Sequence, residues 1–231
     1  MDIEIIAFDM FGTLVDWRSS ISAALARVGE RAGLTADWAA IADSWRSRYQ
    51  PALGKVIRGE RSYQPLDVLH AGTLEEVVAE FGLDRLGAAD RDELVHAWYE
   101  LAPWPDAVPG LTALHERYKL APLSNGGVGL LARLARTAGF PFDCILSAEL
   151  AGTYKPDPRV YRLAPDYFSV RPDQVLMVAC HPSDLDGAKR AGLRTGYVPR
   201  PLEWGPAGSA PPPPGTVDLV ADDMNELARL I

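Results

Sequence analysis

Short apolar runs of strand length punctuate the chain at Ile3 to Phe8, Leu120 to Leu123, Cys144 to Leu146, Val175 to Cys180, Thr195 to Val198 and Leu219 to Val220. Several are separated by stretches of helical period, at Leu111 to Tyr118, Gly129 to Ala138 and Leu185 to Ala191. This alternation predicts an α/β core, doubly wound around a mostly parallel sheet. Between Trp17 and Tyr99 the pattern changes. ISAALARVGERAG, WAAIADSWRSRYQ, LDVLHAGTLEEVVAEFG and RDELVHAWYEL carry apolar positions at helical spacing, with no convincing strand between them. The reading is a helical insertion over residues 16–102, set into a core built from residues 1–15 and 103–231. PWPDAVPG, around Trp104, reads as the link back to the core. GPAGSAPPPPG, from Gly205 to Gly215, excludes regular structure and predicts a surface loop before the last strand.

Composition narrows the class without changing that picture. With 231 residues, 48% of them hydrophobic and 23% charged, the chain can bury a substantial core. A net charge of -8 gives no basic field for a phosphate backbone, so nucleic acid is not an expected partner. Cys144 and Cys180 lie in or beside apolar runs and read as buried free thiols, with no disulfide. The N-terminus enters IEIIAFD directly, which reads as no signal peptide, and no apolar stretch approaches the roughly 18 residues of a membrane span. The expectation is a cytoplasmic protein.

In an open parallel sheet, reactive groups gather beyond the carboxyl ends of the strands. The polar residues that follow each apolar run are therefore the candidates. FDMFGTLVD places Asp9 at the end of the first strand; LAPL is followed by Ser124 and Asn125; TYKPDPRVY carries Lys155 and Tyr161; VLMVACHPSD carries His181 and Asp184. Singly, each has a structural explanation: Asp9 as a turn cap, Ser124 and Asn125 as turn chemistry, Lys155 as a solvated cation, Asp184 as a helix cap. Their order and spacing point further.

FDMFGTLVD, LSNGG, YKPDPRVY and SDLDGAKRAG, in that order, resemble the haloacid dehalogenase superfamily, and the helical insertion falls where that superfamily carries its cap. Phe11, SNG, KPDPRVY and WRSRYQ make the chain most similar to the type II, L-2-haloacid dehalogenases. The resemblance implies a Rossmann-like core, a helical cap, and hydrolysis of short-chain 2-haloalkanoic acids to 2-hydroxyacids through an ester on Asp9. The alternative within the superfamily is a magnesium-dependent phosphatase acting on a small phosphate ester. Such an enzyme generally has a second aspartate two residues after the first, as acid for the departing alkoxide. Here that position is Phe11, and a halide leaves without needing a proton. Phosphatases also tend to offer two acids four residues apart in the last segment, where this chain has Cys180 and Asp184. Only Asp9 and Asp184 would then be obvious hard ligands for magnesium. The expectation is no metal and no cofactor. A third reading, a silent binding protein, gives no reason to keep Asp9, Ser124, Lys155 and Asp184 together.

By resemblance, Asp9 is the nucleophile and Lys155 the cation that keeps it ionised. Asp184 holds Lys155 and helps activate water, while Ser124 and Asn125 donate to the substrate carboxylate and halide. Arg46 corresponds to the substrate-binding arginine of the cap, and Arg48, two residues on, serves as the internal control. Tyr161 either donates near Asp9 or packs in the core. His181 stands where the family pattern has asparagine; replacement donor, base and purely structural residue are the open alternatives. Met10, Phe11, Trp45, Tyr49 and Trp104 read equally as pocket wall or core. A homodimer is a further expectation, from the resemblance and from the surplus of aromatic and apolar residues in the helical insertion.

Overall fold

The computed structural model describes residues 2–208 and 210–231. The chain opens with β1 (Ile5–Phe8) and β2 (Val15–Asp16), then runs through α1 (Trp17–Arg31), α2 (Trp38–Ser47), α3 (Tyr49–Ile57), α4 (Leu66–Phe81) and α5 (Ala88–His96). It returns by β3 (Ala102–Pro103) and α6 (Ala107–His115) to β4 (Lys119–Ser124), α7 (Val128–Ala138) and β5 (Leu146–Ser147). The short α8 (Pro158–Tyr161) and α9 (Leu163–Phe168) precede β6 (Val175–Ala179), α10 (Pro182–Arg190), β7 (Arg194–Tyr197), β8 (Leu219–Val220) and α11 (Met224–Leu230).

Two compact units result: residues up to Asp16 together with Ala102–Ile231, and Trp17–Leu101. The antiparallel pairing of β2 with β3, Val15 opposite Pro103 and Asp16 opposite Ala102, sets the junction. This ribbon leaves Asp16 and Ala102 in the α/β unit, one residue further on each side than periodicity places the boundary. Two-residue strands are too short for a period to register.

The α/β unit carries a six-stranded sheet in the order β5-β4-β1-β6-β7-β8. Every pair in it is parallel. All residues of β1 (IIAF) and β6 (VLMVA) are buried, as expected for central parallel strands covered on both faces. All six apolar runs of the sequence coincide with strands, whose ends differ from the runs by at most two residues. Cys144 is a correction: it lies in the bend before β5 and is only half-buried, whereas Cys180 is buried, and both are free. The alternation of apolar residues also does not announce α11, whose Met224 packs against Gly110 of α6 so closely that a Cβ there would meet it at 2.5 Å.

The second unit is helical. WRSRYQ is split between the end of α2 and the start of α3, with Arg48 at the junction. Its interior is aromatic: Trp98 lies 4.3 Å from the His70 ring, 5.5 Å from Trp45 and 6.4 Å from Trp17, centroid to centroid. Among the described residues no helix is long and apolar enough to cross a membrane.

Candidate active site

β1 lies at the centre of the sheet, with β4 on one side and β6 on the other, so strand order reverses around it. That makes the end of β1 the crevice where an open α/β sheet binds ligands. Asp9 stands there, its backbone N–H on the Val178 carbonyl at 3.0 Å, which extends the β1–β6 ladder by one bond. Oδ1 of Asp9 lies 3.5 Å from Nζ of Lys155. Oδ2 accepts the Thr13 hydroxyl at 3.0 Å and faces Nδ1 of His181 at 3.0 Å.

The cation is held from the far side. Lys155 Nζ donates to Oδ2 of Asp184 at 2.7 Å, and Tyr161 donates its hydroxyl to Oδ1 of the same carboxylate at 2.7 Å. Asp184 is in the first turn of α10, which Pro182 opens, so the helix start aims the carboxylate back at the site. Gly187, one turn on, leaves room for Tyr161: a Cβ would meet its hydroxyl at 2.4 Å. Asn125 Oδ1 accepts the backbone N–H of Lys155 at 2.8 Å, fixing the approach of the lysine. The neighbouring Ser124 hydroxyl is buried with no hydrogen-bond partner among the described residues. A buried donor of this kind is costly unless something accepts from it.

Electrostatics follow the geometry. Burial raises the cost of charging Asp9, but the Lys155 ammonium, His181 and the Thr13 hydroxyl outweigh it and hold the carboxyl far below the usual range. Asp184 goes the other way: burial and the Asp9 charge push it up, against the pull of Lys155. Tyr161 is driven far above the usual phenol range by burial and then by Asp184, so it stays a donor. The two carboxylates therefore differ in kind, Asp9 as the one its neighbours favour as an anion and Asp184 as the anchor of the lysine.

A second acid faces the same edge. Nε2 of His181 lies 2.9 and 3.1 Å from the two oxygens of Glu203, which is 1% exposed. With carboxylates at both ring nitrogens, the imidazole carries both protons. Its pKa rises well above the ordinary value: burial opposes the charge, and Cys180, Asp9 and Glu203 favour it. Burial also raises the Cys180 thiol, so at neutral pH the two carboxylates carry the effect. Gly12, at φ +86°, makes the space, since a Cβ there would fall 2.2 Å from Oε1 of Glu203. Cys180, His181 and Glu203 bring ligand atoms within 4.8 Å of one another. A thiol, an imidazole and one carboxylate suit a soft transition ion, not magnesium.

Residues 3–192 match the family described as hydrolase, haloacid dehalogenase-like hydrolase. The chain belongs to the haloacid dehalogenase-like hydrolases. This hydrolase is 32% identical over 197 residues to (S)-2-haloacid dehalogenase 4A of Burkholderia cepacia, covering 84% of this chain and 81% of that one. The solved structure of a defluorinating L-2-haloacid dehalogenase superposes with a TM-score of 0.95 at 40% identity, covering 99% of this chain and 94% of that chain. A further L-2-haloacid dehalogenase structure gives 0.93 at 41% identity, with 99% and 98% covered.

Of the residues the sequence singles out, Asp9, Lys155, Asp184, Tyr161 and His181 form one connected network, with Asn125 on its backbone and Ser124 buried at the adjacent strand end. Tyr161 reaches Asp184 and not Asp9. Phe11 is buried, with its ring against Gly126 of the SNGG turn. Met10 is fully buried, and its carbonyl closes the turn after β1 by accepting from Leu14 at 3.0 Å. Trp104 braces that turn, its indole N–H on the Gly12 carbonyl at 2.8 Å. In the helical unit, Arg46 is 8% exposed and sits 4.1 Å over the Tyr49 ring, 5.4 Å from Trp17 and 5.9 Å from Trp98. Arg48 instead pairs with Glu76 and Glu80 at the surface. Trp45 is core, donating to Thr73 and to the His70 carbonyl.

Sequence reasoning missed Thr13 and Glu203. Thr13 is in the quoted first motif, four residues after Asp9, where a turn returns its hydroxyl to the carboxylate. Glu203 is an isolated acid in the proline-rich VPRPLEWGP after β7; its one signal is that this segment leaves the same edge of the sheet.

Proposed function

We propose that this hydrolase converts short-chain (S)-2-haloalkanoic acids to 2-hydroxyacids. The observation that carries the reading is a buried Asp9 whose carboxylate is met by Lys155, Thr13 and His181, with Phe11 where a phosphate-ester hydrolase needs its acid. A carboxylate kept anionic in a dry site is a competent nucleophile toward carbon. Asp9 attacks the halogen-bearing carbon opposite the halide, which departs with the bonding pair and leaves an ester on Asp9. Water then attacks the carboxyl carbon of that ester and releases the hydroxyacid. Ser124, whose hydroxyl needs an acceptor, donates to the substrate carboxylate, and Asn125 offers its amide N–H groups beside it. Arg46, on its aromatic bed in the helical unit, corresponds by resemblance to the substrate-binding arginine of the type II family. The three likenesses to (S)- and L-2-haloacid dehalogenases support both the substrate class and the enantiomer.

The donor set argues against the magnesium-dependent alternative. Lys155 takes one oxygen of Asp9, while Thr13 and His181 take the other, and the second hard ligand, Asp184, is itself occupied by Lys155 and Tyr161. Halide release from chloroacetate and from each enantiomer of 2-chloropropionate, measured in EDTA, tests the reading. The expected result is release that persists in EDTA, favours the L enantiomer and disappears in Asp9→Asn. Magnesium-dependent phosphate-ester hydrolysis without halide release would overturn it.

A further inference from the structure

Cys180, His181 and Glu203 meet where the chain leaves β6 and β7, and the thiol and the carboxylate are each 1% exposed. Sγ of Cys180 lies 3.5 Å from Nε2 of His181 and 3.6 Å from Oε2 of Glu203, and that same oxygen lies 3.1 Å from Nε2. Zinc bonds a thiolate sulfur at about 2.3 Å and an imidazole nitrogen or carboxylate oxygen at about 2.0 to 2.1 Å. At tetrahedral angles such bonds hold the sulfur about 3.5 Å from each lighter ligand and the nitrogen about 3.3 Å from the oxygen. The three atoms therefore already lie at the corners of one face of such a tetrahedron. We propose that Cys180, His181 and Glu203 are the protein ligands of a thiophilic divalent ion of the zinc class, with water at the fourth vertex.

Loading exchanges protons for the ion. The S–H proton of Cys180 and the Nε2–H proton of His181 pass to solvent as the sulfur and the nitrogen bond the ion. Two protons leave for one dication, so the site keeps its net charge and burial of the ion adds none. Glu203 enters as the carboxylate it already is, and His181 keeps its proton at Nδ1.

The surroundings supply what orients such ligands. A metal-ligating imidazole commonly donates its other N–H to a carboxylate, which fixes the ring. Here Nδ1 of His181 faces Oδ2 of Asp9 at 3.0 Å. Thr13 Oγ1 lies 3.4 Å from Sγ of Cys180 and accepts the Cys180 backbone N–H at 3.0 Å, so the sulfur is held beside its own main chain. Gly12 leaves the space, since a Cβ there would meet Oε1 of Glu203 at 2.2 Å and Cε1 of His181 at 3.2 Å. The segment that carries Glu203 is strapped down as well. Arg200 donates through Nε to the Thr13 carbonyl at 2.9 Å and through Nη1 to Asp106 at 2.7 Å, and Glu203 N–H closes a turn on the Arg200 carbonyl at 3.0 Å. The His181 side chain, 28% exposed, leaves a way in from solvent.

The donor set selects the ion. Magnesium and calcium take oxygen ligands, whereas a thiolate beside an imidazole favours zinc and its softer relatives. Among the described residues no other three such side chains bring their ligand atoms together, so one ion per chain is expected. The dehalogenation proposed above has no step through this ion and proceeds in EDTA, so the two readings fail separately.

The test is zinc binding by the full chain, stripped with EDTA and then freed of it, in competition with a chromophoric chelator of micromolar affinity. The unmodified protein should take up one ion. Cys180→Ala and Glu203→Gln should each weaken binding about 100-fold or more, and Asp9→Ala about tenfold or more through the ring it orients. Cys144→Ala should bind as the unmodified protein does. Cobalt in place of zinc should give a thiolate-to-metal charge-transfer band that is absent in Cys180→Ala. Zinc-edge X-ray absorption of the unmodified protein needs no variant to fold: one sulfur at about 2.3 Å among nitrogen and oxygen neighbours at about 2.0 Å is expected. No zinc retained against the chelator, a coordination shell without sulfur, or unchanged affinity in Cys180→Ala would overturn the inference. Failure of the unmodified enzyme to release halide would instead remove the dehalogenase reading and leave the ion site standing.

Discussion

Replacing Lys155 by methionine removes the one ammonium between two buried carboxylates while keeping the volume of the side chain. Lys155 Nζ is 3.5 Å from Asp9 and 2.7 Å from Asp184. At an effective dielectric of about 20, a unit pair at the longer distance is worth roughly 5 kcal/mol, an upper bound before relaxation and water entry. With about 1.4 kcal/mol per pK unit, even half of that moves the Asp9 carboxyl up by about 2 units. In the unmodified enzyme the Asp9 carboxyl is held far below its usual range, so halide release in single turnover should have no acid limb from this group near neutrality. In Lys155→Met an acid limb should enter the accessible range and the plateau rate should fall, because the two carboxylates now repel each other and one of them takes a proton. The stability effect has the same sign. Asp9 is depressed in the folded state, so its stabilisation is present above its unfolded pKa and is lost as pH falls toward the folded value. Lys155→Met should therefore lose most stability near neutrality, about 3 to 5 kcal/mol, and little in acid. Coincident pH profiles of halide release for the two proteins would refute this account of the nucleophile.

Arg46→Lys should raise KM for chloroacetate at least tenfold, since an ammonium cannot lie flat on the Tyr49 ring, whereas Arg48→Ala should leave kcat and KM unchanged and cost under about 1 kcal/mol by urea unfolding. Burial and then the Arg46 charge lower His70 to about 3. This histidine is neutral in the fold and protonates more readily when unfolded, so its contribution is complete above about 6.5 and is lost as pH falls toward about 3. His70→Phe, which retains a ring against Trp98, should narrow the difference in urea midpoint between pH 7 and pH 5; an unchanged difference would contradict it.

The strand ends were legible because each polar candidate follows an apolar run; β1 and β6, continuous and buried, show no alternation, and it is their short length that reads as strand. Motif order places Lys155 and Asp184 at one edge, since consecutive segments of a doubly wound sheet deliver their ends there, and the resemblance supplies their pairing. What stayed hidden has a common cause. Thr13 acts through a turn, Tyr161 chooses Asp184 over Asp9 by a matter of loop geometry, and Glu203 arrives from an irregular proline-rich segment. None of these placements has a period. The β2–β3 ribbon and α11 were likewise too short, or too dependent on their packing partner, for local pattern to declare them. Arg46 and Arg48 illustrate the converse: two residues apart in one motif, they separate into a buried aromatic bed and a surface ion-pair cluster because the helix turns about 200° between them.

Asp9 is divided between two cations. Its Oδ1 side looks to Lys155, whose ammonium is itself fixed by Asp184. Its Oδ2 side accepts the Thr13 hydroxyl and faces His181, whose other ring nitrogen is held on the buried Glu203. Each cation is thus anchored by a second carboxylate, so neither can turn away from Asp9 without leaving a buried acid unpaired.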